Sequence, residues 1–313
     1  MKNIPSVDLS DFLSDDKDRK QKFVREIGKA YSEIGFVALR GHFLSNELSD
    51  LLYKEVKNFF SLPEKIKLKY EIEGIGGARG YTSFGKESAK GRTEGDLKEF
   101  WHFGQESDTV ALKEIMPNVQ VAENPNFNKV GMQVYRQLEK TAIYVLRALA
   151  LYIGLEEHYF DDYMENGSSI LRPIHYPAII GEPKGAVRAA AHGDINLITL
   201  LMGASASGLE VQAKTGEWVE VTALPEQLVV NVGDMLQRLT NNKLRSTIHR
   251  VVNPPKKDWN KPRYSIPFFA HPKAEMPLNC LDICIDEKNP KAYDDITAGM
   301  YLDERLRELG LLK

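Results

Sequence analysis

Cysteine is nearly absent: two thiols, Cys280 and Cys284, serve 313 residues. That excludes the disulfide framework that staples small secreted domains, and two thiols do not make a closed zinc site. Their i, i+4 spacing in "NCLDIC" suits one face of a helix, and they read as reduced structural thiols. No apolar run approaches the roughly 20 residues of a membrane-spanning helix. Charge of one sign is missing too: 41 Lys plus Arg against 44 Asp plus Glu leave a net charge of −3. Such a balance gives no footprint for nucleic acid or an anionic membrane. There are no internal repeats and no low-complexity segments. The N-terminal "MKNIPSVDLSDFLSDDKDRK" lacks the apolar stretch of a signal peptide. The expectation is a cytoplasmic, enzyme-like protein without a membrane or nucleic-acid partner. Nothing in the composition bears on oligomeric state.

What is present changes character along the chain. "IPSVDLS" reads as a short strand ending in a capping Asp or Ser. From about residue 18 to 34, Phe23, Ile27, Ala30, Tyr31 and Ile34 recur with a helical period. "GFVALRG" is a strand between two glycines. "SNELSDLLYKEVKNFFSLP" opens on a Ser or Asn cap and stops at Pro63. Residues 73–106 are rich in Gly, Ser and charge and read as a long loop, a candidate lid. A scaffold helix is expected from about 128 to 153, on Val134, Leu138, Ala142, Val145 and Leu149. From Ser169 onward short β-prone runs follow one another: "SILRPIHYP", "VRAAAHGDI", "LITLLM", "GLEVQ", "EWVEV", "QLVVNVG", "STIHRVV" and "RYSIPFFAH". They argue for a mainly β fold of the α+β class, a jelly roll buttressed by helices. The expected layout is one domain, 1–313. It has a mainly helical region over 1–165, the β core over 166–275, and a C-terminal segment with an amphipathic helix over 276–313.

Within "AAAHGDINLITLLM" a strand-like run carries His192 and Asp194 two positions apart, hence on one face of the strand, with Gly193 turned to the other. A buried imidazole beside a buried carboxylate must be paired or bind a metal. Seven His and eighteen Asp make one such triplet unremarkable, and a hydrogen-bonded structural pair satisfies it equally. His249 in "STIHRVV" lies 55 positions after Asp194, a gap that several short strands would fill. It is a third donor if strand 187–195 lies beside strand 246–252. Two imidazoles and one carboxylate form the facial triad of non-haem Fe(II) enzymes, which leaves positions open for cosubstrate and O2. In "RYS", Arg263 and Ser265 share a strand face. A guanidinium fork beside a hydroxyl is a carboxylate receptor, although an Arg paired with a neighbouring acid fits the same residues.

The run from "HGD" through "GLEVQ", "GEWVEVTALPEQLVVNVGDMLQRLTNNKLRSTIHRVVNPP" and "RYSIPFF" resembles the isopenicillin N synthase-like family of 2-oxoglutarate/Fe(II)-dependent dioxygenases. "IPSVDLS", "GFVALRGH" and "FFSLP" resemble its N-terminal region, so the likeness covers nearly the whole chain. The resemblance implies a double-stranded β-helix, a cupin-like jelly roll, with Fe(II) on His192, Asp194 and His249. It places the distal carboxylate of 2-oxoglutarate on Arg263 and Ser265. "LRPIHYP" resembles the family's Asn-Tyr-Tyr-Pro segment, which implies a cosubstrate contact for Tyr176; Ile174 stands where the family often has Asn. The implied reaction consumes O2 and 2-oxoglutarate, releases succinate and CO2, and oxidises an unactivated C–H bond of a small molecule, with hydroxylation the first expectation. A carboxylate at Asp194 argues against halogenation.

Two other readings remain open on the sequence. One is an Fe(II) oxidase of the same family that does without 2-oxoglutarate and cyclises or desaturates its substrate. The other is a jelly-roll protein that binds metal without turnover. For the substrate, the candidates are Arg79, Tyr81, Phe84, Lys98, Trp101 and His102 from the long loop region, and Phe269 after the Arg-x-Ser strand. Arg or Lys there favours a carboxylated substrate; the aromatics favour a flat or apolar body. "GYTSFGKE" fails as a phosphate loop, since Glu87 stands where Ser or Thr would hold magnesium. "GASASG" is not a nucleophile elbow.

Overall fold

The computed structural model describes residues 4–87, 95–106, 116–183, 185–203, 208–221, 224 and 226–308. In chain order the first half holds β1 (Ser6–Asp8), α1 (Leu9–Phe12), α2 (Lys17–Glu33), β2 (Phe36–Arg40), α3 (Asn46–Phe60) and α4 (Glu64–Lys67). Then come β3 (Gly80–Thr82), β4 (Glu99–Gly104), α5 (Pro125–Ile153) and α6 (Asp161–Met164). The second half holds β5 (Ile170–Leu171), β6 (Ile174–Tyr176), β7 (Ala189–His192), β8 (Ile198–Met202), β9 (Leu209–Gln212) and β10 (Trp218–Glu220). It continues with β11 (Leu228–Val232), α7 (Asp234–Leu239), β12 (His249–Val251), β13 (Arg263–Ala270) and α8 (Ala298–Glu308).

The helices start where side chains can satisfy their free N–H groups. Asp16 accepts from Asp18 N (2.9 Å) and Arg19 N (3.3 Å) at α2, and Ser45 accepts from Leu48 N (3.2 Å) at α3. α5 begins three residues before its expected start because Pro125 is tolerated in the first turn, and it ends at Gly154 with φ 95°. Its stripe Val134, Leu138, Ala142, Val145 and Leu149 is fully buried. α5 packs on α2 and α3 and against the larger sheet. At Gly131 an added Cβ would lie 2.5 Å from the Phe103 ring, so helix and sheet meet there at the closest approach glycine allows.

Among the described residues the strands form two sheets. The major one runs β1-β2-β11-β8-β13-β5-β4-β3, with β6 bridging β13 and β4; the minor one runs β10-β9-β12-β7. β13 shows the logic of the layers. Ile266, Phe268 and Ala270 are fully buried on the helical side, where Phe268 meets Tyr135 at 5.1 Å between ring centroids. Arg263, Ser265 and Phe269 alternate onto the opposite face, toward the minor sheet. Phe36, Leu201 and Val229 of the major sheet pack on Ala189, Leu209, Val211 and Val251 of the minor sheet. Two sheets closed face to face in this way, with helices outside one of them, make the double-stranded β-helix.

Several expectations need correction. The presumed loop 73–106 contributes two strands: β3 pairs with β4, and β4 pairs with β5 and β6. Residues 88–94 of the candidate lid lie outside the described residues. The strand carrying His192 ends at that residue, so Asp194 belongs to the irregular segment that follows and not to the strand. "SILRPIHYP" is two strands split at Arg172–Pro173. Cys284 ends a 3-10 turn rather than an α-helix, and both thiols are buried and free.

Candidate metal centre

β12 pairs antiparallel with β7, His249 directly opposite His192, as the metal reading required. The two imidazole centroids are 4.5 Å apart. Each ring faces its own backbone with Nδ1: His192 toward Ala190 O (2.7 Å) and His249 toward Thr247 O (3.2 Å). An Nδ1–H that donates to a carbonyl leaves the Nε2 lone pair free to ligate. Both Nε2 atoms point to Asp194 Oδ1, at 3.9 Å from His192 and 3.6 Å from His249. One ligand atom from each of the three residues lies within 4.8 Å of the others.

The second carboxylate oxygen is held from the other sheet. Thr199 Oγ1 (2.6 Å) and Asn231 Nδ2 (2.8 Å) both donate to Asp194 Oδ2, and these two residues are cross-strand partners on β8 and β11. The chain therefore fixes one oxygen and aims the other at the imidazoles. Burial alone would raise the Asp194 pKa, but the two histidines and these hydrogen bonds hold it below the ordinary carboxylate range. Desolvation, then the neighbouring His249, pushes His192 well down. An ionised carboxylate beside an imidazole kept neutral is the state that ligates a metal. Donor atoms this close could all reach one metal ion.

Arg263, on the inner face of β13, is 1% exposed and lies opposite Tyr176 of β6, with its guanidinium carbon 5.1 Å from the Tyr176 ring. Ser265, also buried, lies opposite Ile174, which in turn lies opposite Phe100 of β4. Arg188 brings a second buried guanidinium to 6.0 Å from the Tyr176 ring. Its own pKa is lowered by burial and by Arg263. Two desolvated cations around one phenol suit an anion.

The seven substrate candidates separate by strand alternation. On β4, Glu99, Trp101 and Phe103 turn toward the helices. Trp101 is fully buried 4.9 Å from Phe59 and 5.3 Å from Phe127, a core residue and not a mouth residue. Tyr81, opposite Trp101, also turns toward the helices, donating to Glu99 Oε2. Arg79 is buried against Gly104 with Nη1 donating to Ala78 O, and Phe84 is half exposed. Lys98 and His102 take the inner side. Lys98 pairs with Glu87 (2.8 Å) and Asp96 (3.0 Å), and its charge reaches His192. His102 accepts from Arg172 Nε (2.5 Å), and Phe269 lies 5.1 Å from the Arg172 guanidinium.

Residues 167–272 match the 2OG-Fe(II) oxygenase superfamily, and residues 4–127 match the N-terminal region named for the non-haem dioxygenase of morphine synthesis. The chain belongs to the 2-oxoglutarate/Fe(II)-dependent oxygenase superfamily. Proline hydroxylase buaE of Petromyces alliaceus is 31% identical over 97% of this chain and 98% of its own. The 2-oxoglutarate-Fe(II) type oxidoreductase hxnY of Emericella nidulans is 31% identical over 94% of this chain and 86% of its own. Among solved structures, a Caulobacter crescentus protein assigned to the 2OG-Fe(II) oxygenase family aligns at TM-score 0.87 with 41% identity, covering 98% and 99% of the two chains. A full-length Neurospora crassa protein, crystallised in complex with alpha-KG and thymine, aligns at TM-score 0.86 with 31% identity, covering 97% and 96%. This oxygenase takes Fe(II) and 2-oxoglutarate and acts on a small molecule. No helix among the described residues is long and apolar enough to cross a membrane.

Residues outside the sequence reading are Thr199, Asn231, Arg188, Arg172 and His271. The last had a signal: extending the alternation of Arg263, Ser265 and Phe269 by two positions reaches His271.

Proposed function

We propose that His192, Asp194 and His249 hold the iron, and that Arg263 and Ser265 receive the distal carboxylate of 2-oxoglutarate with Tyr176 beside it. The observation that carries this reading is the convergence of two imidazoles and a carboxylate, from two strands and the segment after the first of them, onto one point. Iron held there would activate O2, and 2-oxoglutarate would supply two electrons, so that one oxygen atom ends in succinate and the other in the oxidised C–H bond. The chain's own residues orient the partners and keep water out. Arg263 at 1% exposure holds the carboxylate in a dry pocket, and Thr199 and Asn231 stop the Asp194 carboxylate from rotating. Hydroxylation of a small molecule is the reaction assigned. The order of His-x-Asp, "STIHRV" and Arg-x-Ser supports placing the chain in the isopenicillin N synthase-like branch as a single dioxygenase domain. Two free thiols support a reducing, cytoplasmic setting.

The test follows O2 uptake and succinate release with Fe(II) and 2-oxoglutarate present. Succinate formed in step with O2, and lost in His249→Ala, supports the reading. Oxidation of a substrate without succinate would point to the cosubstrate-independent oxidase, and iron binding with no O2 uptake for any substrate to a binding protein.

A further inference from the structure

Past the cosubstrate residues, the inner face holds a second cluster that the metal centre does not use. Arg172, at the kink between β5 and β6, has its guanidinium carbon 4.4 Å from the Phe100 ring and 5.1 Å from the Phe269 ring. Its Nε donates to His102 Nε2, whose ring is kept neutral by burial and by the Arg172 charge. Nη1 lies 3.5 Å from Glu87; among the described residues Nη2 has no hydrogen-bond partner. His271 is 8% exposed, and its Nδ1 also lacks a partner among the described residues. It lies two positions beyond Phe269, whose ring is 5.1 Å from the Arg172 guanidinium, and its carbonyl accepts from Ser169 Oγ (3.2 Å), three positions before Arg172. A buried imidazole with an unmet nitrogen costs free energy unless a ligand supplies the missing bond.

The charges around this cluster decide the class of ligand. Lys98 and Arg172 are matched by Glu87 and Asp96. Arg79, whose charge also reaches His102, donates to Ala78 O and packs against Gly104; an incoming carboxylate would have to displace Glu87 or Asp96 from Lys98 and Arg172 and would be buried at a cost. A neutral molecule would not. A neutral imidazole offers one donor and one acceptor, and Arg172 offers donors alone.

We propose that Arg172 and His271 form the substrate-recognition edge, and that it selects a small neutral molecule bearing adjacent C=O and N–H groups, an amide, lactam or cyclic imide. Phe100 and Phe269 set the plane of the guanidinium, which donates to the carbonyl. His271 pairs with the remaining polar group and holds the ligand next to the iron. This rests on the assignment of the iron and 2-oxoglutarate residues above.

The test is calorimetric binding to the anaerobic Fe(II)–2-oxoglutarate complex, whose visible charge-transfer band is recorded first. The probes are uracil, glutarimide and δ-valerolactam, with orotate as the carboxylated counterpart of uracil. The expected result is that at least one neutral probe binds and that orotate binds about tenfold or more weaker than uracil. Arg172→Ala should weaken the neutral probe by about tenfold or more, a charge-assisted hydrogen bond being lost. Arg172→Lys, which keeps the cation and loses the fork, should recover only part. His271→Ala should weaken it as well. Orotate binding as tightly as uracil, no neutral probe binding while the band forms, or unchanged affinity in Arg172→Ala and His271→Ala would overturn the proposal. Absence of the band in the unaltered protein would instead remove the cosubstrate assignment, and this proposal with it.

Discussion

If Arg263 holds the distal carboxylate of 2-oxoglutarate, removing either partner should cost the same free energy, and removing both should cost little more than removing one. Truncating one side of a buried, hydrogen-bonded charge pair costs about 3–5 kcal/mol. Here the lower end applies to Arg263→Ala, because Arg188 keeps a second buried guanidinium beside the same tyrosine. About 3 kcal/mol corresponds to roughly a hundredfold in affinity. The ligand-side truncation is 2-oxopentanoate, which keeps the 2-oxo acid and loses the far carboxylate. Both can be titrated anaerobically against the Fe(II) protein through the charge-transfer band. The unaltered protein should prefer 2-oxoglutarate by about a hundredfold, and Arg263→Ala should prefer it by a few-fold at most. Arg263→Lys should fall between, since an ammonium keeps the charge and loses the two-pronged geometry. The band with 2-oxopentanoate must survive in both variants, which shows that the buried substitutions have not unfolded the protein. A full hundredfold preference retained in Arg263→Ala would refute the assignment and move the carboxylate to Arg188.

Thr199→Val or Asn231→Ala should lower Fe(II) affinity by about 10- to 100-fold without removing a ligand, measured by competition with a chelator. Glu99→Ala should cost roughly 3–5 kcal/mol in urea unfolding, because it strands three groups at once: Lys67 (2.6 Å), His175 (2.7 Å) and Tyr81. Lys67→Ala should cost less, because His175 and Tyr81 still satisfy the carboxylate. Burial pushes His271 down to about 4. The unfolded chain takes up its proton near pH 6.5 and the folded one only near 4, so between these values the unfolded state binds more protons and stability rises with pH. The iron-free protein should lose about 3 kcal/mol from this residue between pH 6.5 and 4. His271→Asn should flatten that part of the profile in urea midpoints, and an unchanged slope would count against a buried neutral ring.

The parts of the site legible in the sequence are those in which chemistry and strand period coincide. Arg263 and Ser265 read correctly as one face of one strand because β13 is regular there. The 55 positions between Asp194 and His249 allowed the strands of His192 and His249 to lie side by side but did not fix their pairing; β8 to β11 and α7 fill them. The alternation argument failed at Asp194 for a local reason. β7 stops at His192, so the Asp194 carboxylate reaches the imidazoles from the segment that follows the strand. β3 and β4 were hidden because the glycine and charge around them mimic a loop, while the other partners of β4, β5 and β6, lie about 70 residues further on. Without that pairing Trp101 and His102 look alike; with it, one faces the helices and the other the site. Arg172 was obscured by the kink it occupies, and its neighbours Phe100 and Phe269 come from strands distant in sequence.

The placement of Asp194 has a consequence for how the site assembles. The imidazoles belong to the minor sheet, while the groups that fix the Asp194 carboxylate belong to the major sheet. Metal affinity therefore depends on the two sheets being closed on each other, and not on any one strand. The residue must also be a carboxylate for a reason separate from charge. Oδ2 accepts from both Thr199 and Asn231, so the group needs acceptor capacity on one oxygen and a free lone pair on the other. Asp194→Asn cannot supply both. With its oxygen toward Thr199 and Asn231, its amide N–H groups face the imidazoles and repel a cation. Flipped, it confronts the Asn231 amide donor with a second donor. Asp194→Asn should thus lose iron in either rotamer, and in the flipped rotamer it should also weaken the seam between the sheets. Asp194→Glu keeps the charge and the lone pairs, but its longer side chain cannot keep both hydrogen bonds and the ligating oxygen in place. If Asp194→Glu bound Fe(II) with unaltered affinity, the Thr199–Asn231 clamp would have no role in holding the metal.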